Sequence, residues 1–191
     1  MPEVEQRRSS CRGAPAGHGR NMIETLYQGK FVKLSRNGTW EYAERVNSTG
    51  AGFILAVTPE KEMILVEQYR VPMQARTIEL PAGIIGDEGN HGEAIEASAM
   101  RELEEETGFR GARAEILLSG PVAPGLASEM LHLVRIHDLV RVSAGGGVDN
   151  ENITVHVVPL AQIDAWLAGK GREGLLIEPR IYTALYFMLR A

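Results

Sequence analysis

Three glutamates, Glu102, Glu105 and Glu106, follow Arg101 with helical offsets of three and four among them, so a helix through them presents the three carboxylates on one face. Like charges at that spacing destabilise an ordinary solvated helix by about 0.2–0.5 kcal/mol per pair. The same groups are hard oxygen ligands, and Mg²⁺ or Mn²⁺ held between them reverses that penalty. Arg101 can fix one carboxylate through its guanidinium fork. The plain alternative is a solvated acidic face, which is what most glutamate-rich runs are. Gly108 suits the left-handed position that closes a helix, with Phe109 packing back behind it.

The wider spacing favours the metal. Glu93, seven residues, then Arg101-Glu102-Leu103-Glu104-Glu105-Glu106-Thr107-Gly108-Phe109 resembles the box that defines the Nudix hydrolases. Six fixed positions at ordinary composition match by chance well below roughly one time in a thousand. One departure stands in front of the box. Nine residues separate Gly83 from Glu93, and Asp87 occupies the place where the family's spacing asks for glycine. Residues 84–92 therefore resemble a four-residue insertion, a glycine-punctuated flexible loop at the mouth of the site that could act as a lid.

From about Glu24 onward the chain is similar to the ADP-ribose pyrophosphatase and nucleoside-diphosphate-sugar branch. The likeness is carried by Glu67-Gln68-Tyr69-Arg70, Glu79-Leu80-Pro81-Ala82-Gly83, Pro124 sixteen residues after Gly108, Ser128-Glu129, and the loop Asp149–Val158. The resemblance implies two or three Mg²⁺ ions, with Mn²⁺ a possible substitute, held by Glu102, Glu105, Glu106 and the Ala82 carbonyl. It implies substrate contacts from Arg70, Glu79, Pro124, Ser128 and Glu129, and a catalytic base at Glu151 or, as second choice, Asp149. With Glu106 and Arg101, these bases complete the catalytic set.

Each of these has a plainer reading: Arg70 as a surface strand-end residue, the 149–158 loop as a solvated turn, and Trp40 as a core residue rather than a platform stacked on adenine. The implied reaction is hydrolysis of the pyrophosphate bond of ADP-ribose or a related nucleotide sugar, GDP-mannose being the alternative. A non-catalytic module that senses such a ligand is the alternative of another class. The branch further implies a homodimer built by its N-terminal strands.

Length and composition agree with one compact domain: 191 residues, 44% hydrophobic, net charge −5. That balance gives no footprint for nucleic acid or an acidic membrane. The single cysteine, Cys11, fits a reducing cytoplasm, and no apolar run reaches membrane-spanning length. Residues 1–21, with Arg7, Arg8, Arg12 and Arg20 among Ser, Gly and Pro, read as a disordered tail. An Arg-rich start also fits a transit peptide, against which stand Glu3 and Glu5.

Residues 22–50 read as an N-terminal strand region and 51–191 as the Nudix domain. Strand patterns cover Thr25–Leu34, Thr39–Val46, Ala51–Val57, Met63–Val66, Arg113–Ser119, Met130–Ile136 and Ile153–Val158, with a hairpin at Asn37-Gly38. Helices are expected over the box, from Pro159 to a stop at Gly169, and from Pro179 to Arg190. Gly145-Gly146-Gly147 reads as a hinge, and His132, His137 and His156 as packing or surface residues. The implied fold is α+β, an α/β/α sandwich around a mixed sheet with an N-terminal antiparallel strand region.

Overall fold

The computed structural model describes residues 23–48, 50–86, 92–147 and 152–188. The chain opens in a three-stranded antiparallel meander of β1 (Glu24–Gln28), β2 (Val32–Asn37) and β3 (Trp40–Arg45). The pattern over Thr25–Leu34 is thus two strands, folded back at Gly29, whose N–H donates to the Val32 carbonyl (2.9 Å). The next hairpin lies one residue later than expected. Asn37 pairs with Trp40, leaving Gly38-Thr39 as the turn, and the Gly38 φ of 61° is what a two-residue hairpin asks of its first position.

Two four-stranded mixed sheets follow. In the first, β4 (Gly50–Ala56) lies between β7 (Ala82–Ile85) and the parallel strand β10 (Met130–His137), with β9 (Arg113–Pro121) outside β10. In the second, β5 (Glu62–Arg70) lies between β12 (Thr154–Pro159) and β6 (Ala75–Glu79), and β13 (Leu176–Ile177) runs parallel to β6. The short pair β8 (Phe109–Arg110) and β11 (Val140–Arg141) closes one end. β6, β7, β8, β11 and β13 are too short to show a period in sequence, and register with longer partners makes them strands.

Alternation along β4 and β5 builds two apolar layers. Phe53, Leu55, Met63 and Leu65 pack with Ile163 and Leu167 of α2 (Ile163–Arg172) and with Ile181 and Ala184 of α3 (Arg180–Met188). Ile54, Ala56 and Ile64 point the other way, onto Ala99 and Leu103 of α1 (Ile95–Thr107). Helices therefore flank both sides of the sheets, as the sandwich expectation requires. Helix α2 does not stop at Gly169 but continues to Arg172. A mid-helix glycine costs only about 1 kcal/mol, less than burial of Ile163 and Leu167 supplies.

The three strand histidines have structural partners: His132 with Ser119 (2.7 Å), His137 with Glu115 (2.7 Å), and His156 with Glu67 (3.0 Å) and the Trp166 ring. Among the described residues, no helix is long and apolar enough to cross a membrane. The tail expected over residues 1–21 lies outside the described residues.

Candidate active site

Helix α1 begins at Ile95, two residues after Glu93, and ends at Gly108, whose φ of 74° is the left-handed closure expected of it. A side chain at Gly108 would overlap the Ser143 carbonyl oxygen. Residues 143–147 pack there because Gly146 and Gly147 donate their N–H groups to the Glu106 and Glu105 carbonyls (2.8 and 3.1 Å). The glycine run read as a hinge is thus a cap on the helix C-terminus. Its three positive φ angles turn its backbone toward carbonyls that a helix end leaves without intrahelical partners.

Burying Ala99 and Leu103 against the sheet sets which way α1 faces and carries its carboxylates to the β7 edge. Glu106 is buried, 5% exposed, and accepts the Ala82 N–H at Oε2 (3.1 Å). Glu102 lies over Gly83, where an added Cβ would overlap its Cγ and Cδ, so a larger residue there would displace this carboxylate. Arg101 gathers three carboxylates rather than one: Nη1 lies 3.0 Å from Glu102 and 3.1 Å from Glu105, and Nη2 3.6 Å from Glu93.

The donors suit a hard divalent cation. Phe53 and Ala82 face each other where the flanking bond runs from Ile54 N–H to the Pro81 carbonyl (2.8 Å), so the N–H and C=O of Ala82 point away from β4. Because β7 is an edge strand, both groups leave the sheet on the side where Glu106 meets them. A buried carboxylate, two neighbouring carboxylates and a backbone carbonyl on one edge form an oxygen-only set. Among the described residues, no three acidic, His or Cys side chains already converge on one point in metal-ligand geometry.

A cleft of about 710 Å³ opens beside this edge, with Ala82 and Gly83 in its wall. Arg70, the last residue of β5, lines it and grips Glu79 in a two-point fork (Nε–Oε1 2.8 Å, Nη2–Oε2 2.6 Å). Glu79 is buried and also accepts the Thr77 hydroxyl. Burial pushes its carboxyl up, but the Arg70 fork, the Thr77 bond and the charges of Arg70 and Arg180 outweigh this and hold it below the usual carboxylate range. Its stabilising contribution is therefore present above that range and is lost as the pH falls through the depressed value. Glu129 lines the same cleft, in an ion pair with Arg45.

Trp40, Pro124 and Ser128 come together elsewhere, around a second hollow of about 620 Å³ between the meander and the loop that follows β9. Ala43 pins that loop by exchanging backbone bonds with Leu126 and Ser128 (2.8 and 3.1 Å). Trp40 is 63% exposed, which removes its reading as a core residue. Arg45 and Arg180 also line the main cleft, and neither stands in a sequence motif that marks it. Asp149, Glu151 and most of the inserted loop, residues 87–91, lie outside the described residues.

Residues 48–176 match the NUDIX domain family. The chain belongs to that family. The relatives of this Nudix hydrolase include the methanol dehydrogenase activator of Bacillus methanolicus, 35% identical over 134 residues, which are 67% of this chain and 70% of that protein. The ADP-ribose pyrophosphatase of Bacillus subtilis (strain 168) is 31% identical over 156 residues, 78% of this chain and 82% of that protein. A crystal structure of an ADP compounds hydrolase aligns with a TM-score of 0.67 over 88% of this chain and 90% of its own, at 22% identity, a likeness of fold.

Proposed function

We propose that this protein hydrolyses the pyrophosphate bond of ADP-ribose or a closely related nucleoside diphosphate sugar, using Mg²⁺, to give a nucleoside monophosphate and a sugar phosphate. The observation that carries the reading is the junction of the two halves of the site. The Ala82–Gly83 edge, which meets Glu106 and Glu102, is also a wall of the arginine-lined cleft. A diphosphate lying in the cleft therefore reaches the carboxylate edge.

Bound Mg²⁺ supplies neutralisation of phosphate charge and acidification of water. The chain's own residues do the rest. Glu102, Glu105, Glu106 and the Ala82 carbonyl hold the ions, and Arg101 orients the carboxylates from behind. Arg70, fixed by Glu79, positions the diphosphate. Glu151 accepts the proton of the attacking water, with Asp149 as the second choice. The P–O bond to the leaving phosphate then breaks as the new one forms. With Mg²⁺, ADP-ribose should yield AMP and ribose 5-phosphate, separable by chromatography, and EDTA should stop the reaction reversibly; an EDTA-insensitive reaction or other products would contradict this.

The relative named as a methanol dehydrogenase activator favours a second reading, in which a nucleotide-sugar module regulates a partner. Binding of ADP-ribose without turnover under any divalent metal would select it.

The functional unit in this proposal is a cytoplasmic homodimer. Tyr27, Phe31, Val32 and Trp40 leave the meander with an exposed, partly apolar surface, which a second copy would cover. Light scattering should give twice the chain mass of 20.9 kDa at micromolar concentration, and a single chain mass would refute the dimer.

A further inference from the structure

Arg180 occupies a position that is unfavourable for a cation in three ways. It is the first residue of α3, where the helix dipole repels positive charge. It stands in the wall of the main cleft beside Arg70. Burial pushes its guanidinium below the ordinary arginine value; Glu79 and Glu129 oppose this, and Arg70 adds to it. The side chain is nonetheless well placed. Its Nε is paired with Glu178, and its Cζ lies 5.5 Å from the centre of the Phe53 ring.

Three guanidiniums line the cleft, and each is set by its own carboxylate: Arg45 by Glu129, Arg70 by Glu79, Arg180 by Glu178. The paired charges leave the empty cleft close to neutral, so these arginines do not act as a long-range funnel. They are oriented forks at short range. An uncharged sugar has no need of a second guanidinium in the same cleft wall as the first, at a helix N-terminus. A diphosphate does, because its negative charge relieves both the repulsion from Arg70 and the clash with the helix dipole.

We propose that Arg180 is a substrate-binding residue that contacts the diphosphate together with Arg70 and sets substrate affinity. The proposal rests on the nucleotide-sugar reading above. It differs from a purely structural role for the Arg180–Glu178 pair in one measurable respect. A purely structural pair would lose melting temperature with binding unchanged, whereas a substrate-binding arginine loses affinity in variants that remain folded.

The test is steady-state kinetics with ADP-ribose and Mg²⁺, equilibrium binding of ADP-ribose in EDTA, and thermal melting of the unliganded protein. The set comprises the native protein, Arg180→Met, Arg180→Gln, Arg180→Lys, and the exposed control Arg172→Gln. Methionine keeps an apolar stem against Phe53. The Met and Gln variants should raise KM and the EDTA dissociation constant about ten- to a hundredfold, with kcat changed less than about threefold. Their melting temperatures should fall by a few degrees at most, because Glu178 loses its partner while the fold is kept. Lysine should recover part of the loss, since it restores the charge without the fork, and the control should match the native protein.

KM and binding within about twofold of native in the Met variant would overturn the assignment, as would a loss of melting temperature with binding unchanged. If neither neutral variant folds, an Arg180→Lys protein with native KM overturns it. A native protein that neither binds nor hydrolyses ADP-ribose sinks the functional reading itself, and the proposal with it.

Discussion

Replacing Glu106 with glutamine is expected to abolish hydrolysis, lowering kcat by about three decades or more, while the protein stays folded. The substitution keeps shape and leaves an amide oxygen able to accept the Ala82 N–H now bonded at 3.1 Å. It removes the one negative charge that is buried where α1 meets the β7 edge. Losing an anionic ligand forfeits several kcal/mol of charge stabilisation at the transferring phosphorus, which is the size of the predicted rate loss. The fold should survive because the variant also relieves carboxylate repulsion along α1. Near-native turnover in Glu106→Gln, persisting after treatment with EDTA, would remove the metal from the account.

Glu151→Gln should lower kcat by about two to four decades with a smaller effect on KM, the signature of a lost general base. Residues 148–151, Glu151 among them, lie outside the described residues; their neighbours on either side are placed. Gly146 and Gly147 are bonded to the carbonyls of Glu106 and Glu105, and Thr154 pairs with Glu67 at the start of β12. If Asp149→Asn produces the large loss and Glu151→Gln does not, the base belongs to the earlier residue.

Much of the chemistry could be read before the fold because it is local. The spacing of Arg101, Glu102, Glu105 and Glu106 fixes a helix face by itself, and Gly108 fixes where the helix ends. What sequence could not supply was partnership across elements. Arg45 and Arg180 belong to the cleft because β3 and α3 are brought to it by sheet packing, and no short pattern marks either residue. The distribution of Trp40, Pro124 and Ser128 into a separate hollow follows from backbone bonds between β3 and residues 126–128, which are set by tertiary docking. The glycine run at 145–147 reads only as a hinge in sequence for the same reason: glycine permits positive φ, and only the helix end against which it packs shows what that freedom is used for.

The most direct test of the central claim is a substrate panel measured with Mg²⁺: ADP-ribose, ADP-glucose, GDP-mannose, UDP-glucose, NADH, a dinucleoside polyphosphate and a nucleoside triphosphate. The account predicts that ADP-ribose has the highest kcat/KM, or is among the highest, and exceeds the nucleoside triphosphate at least tenfold, about 1.4 kcal/mol of differential transition-state binding. GDP-mannose leading by that margin would overturn the choice of nucleotide while leaving the reaction class in place. A nucleoside triphosphate leading by the same margin, or no hydrolysis of any nucleotide sugar, would contradict the account.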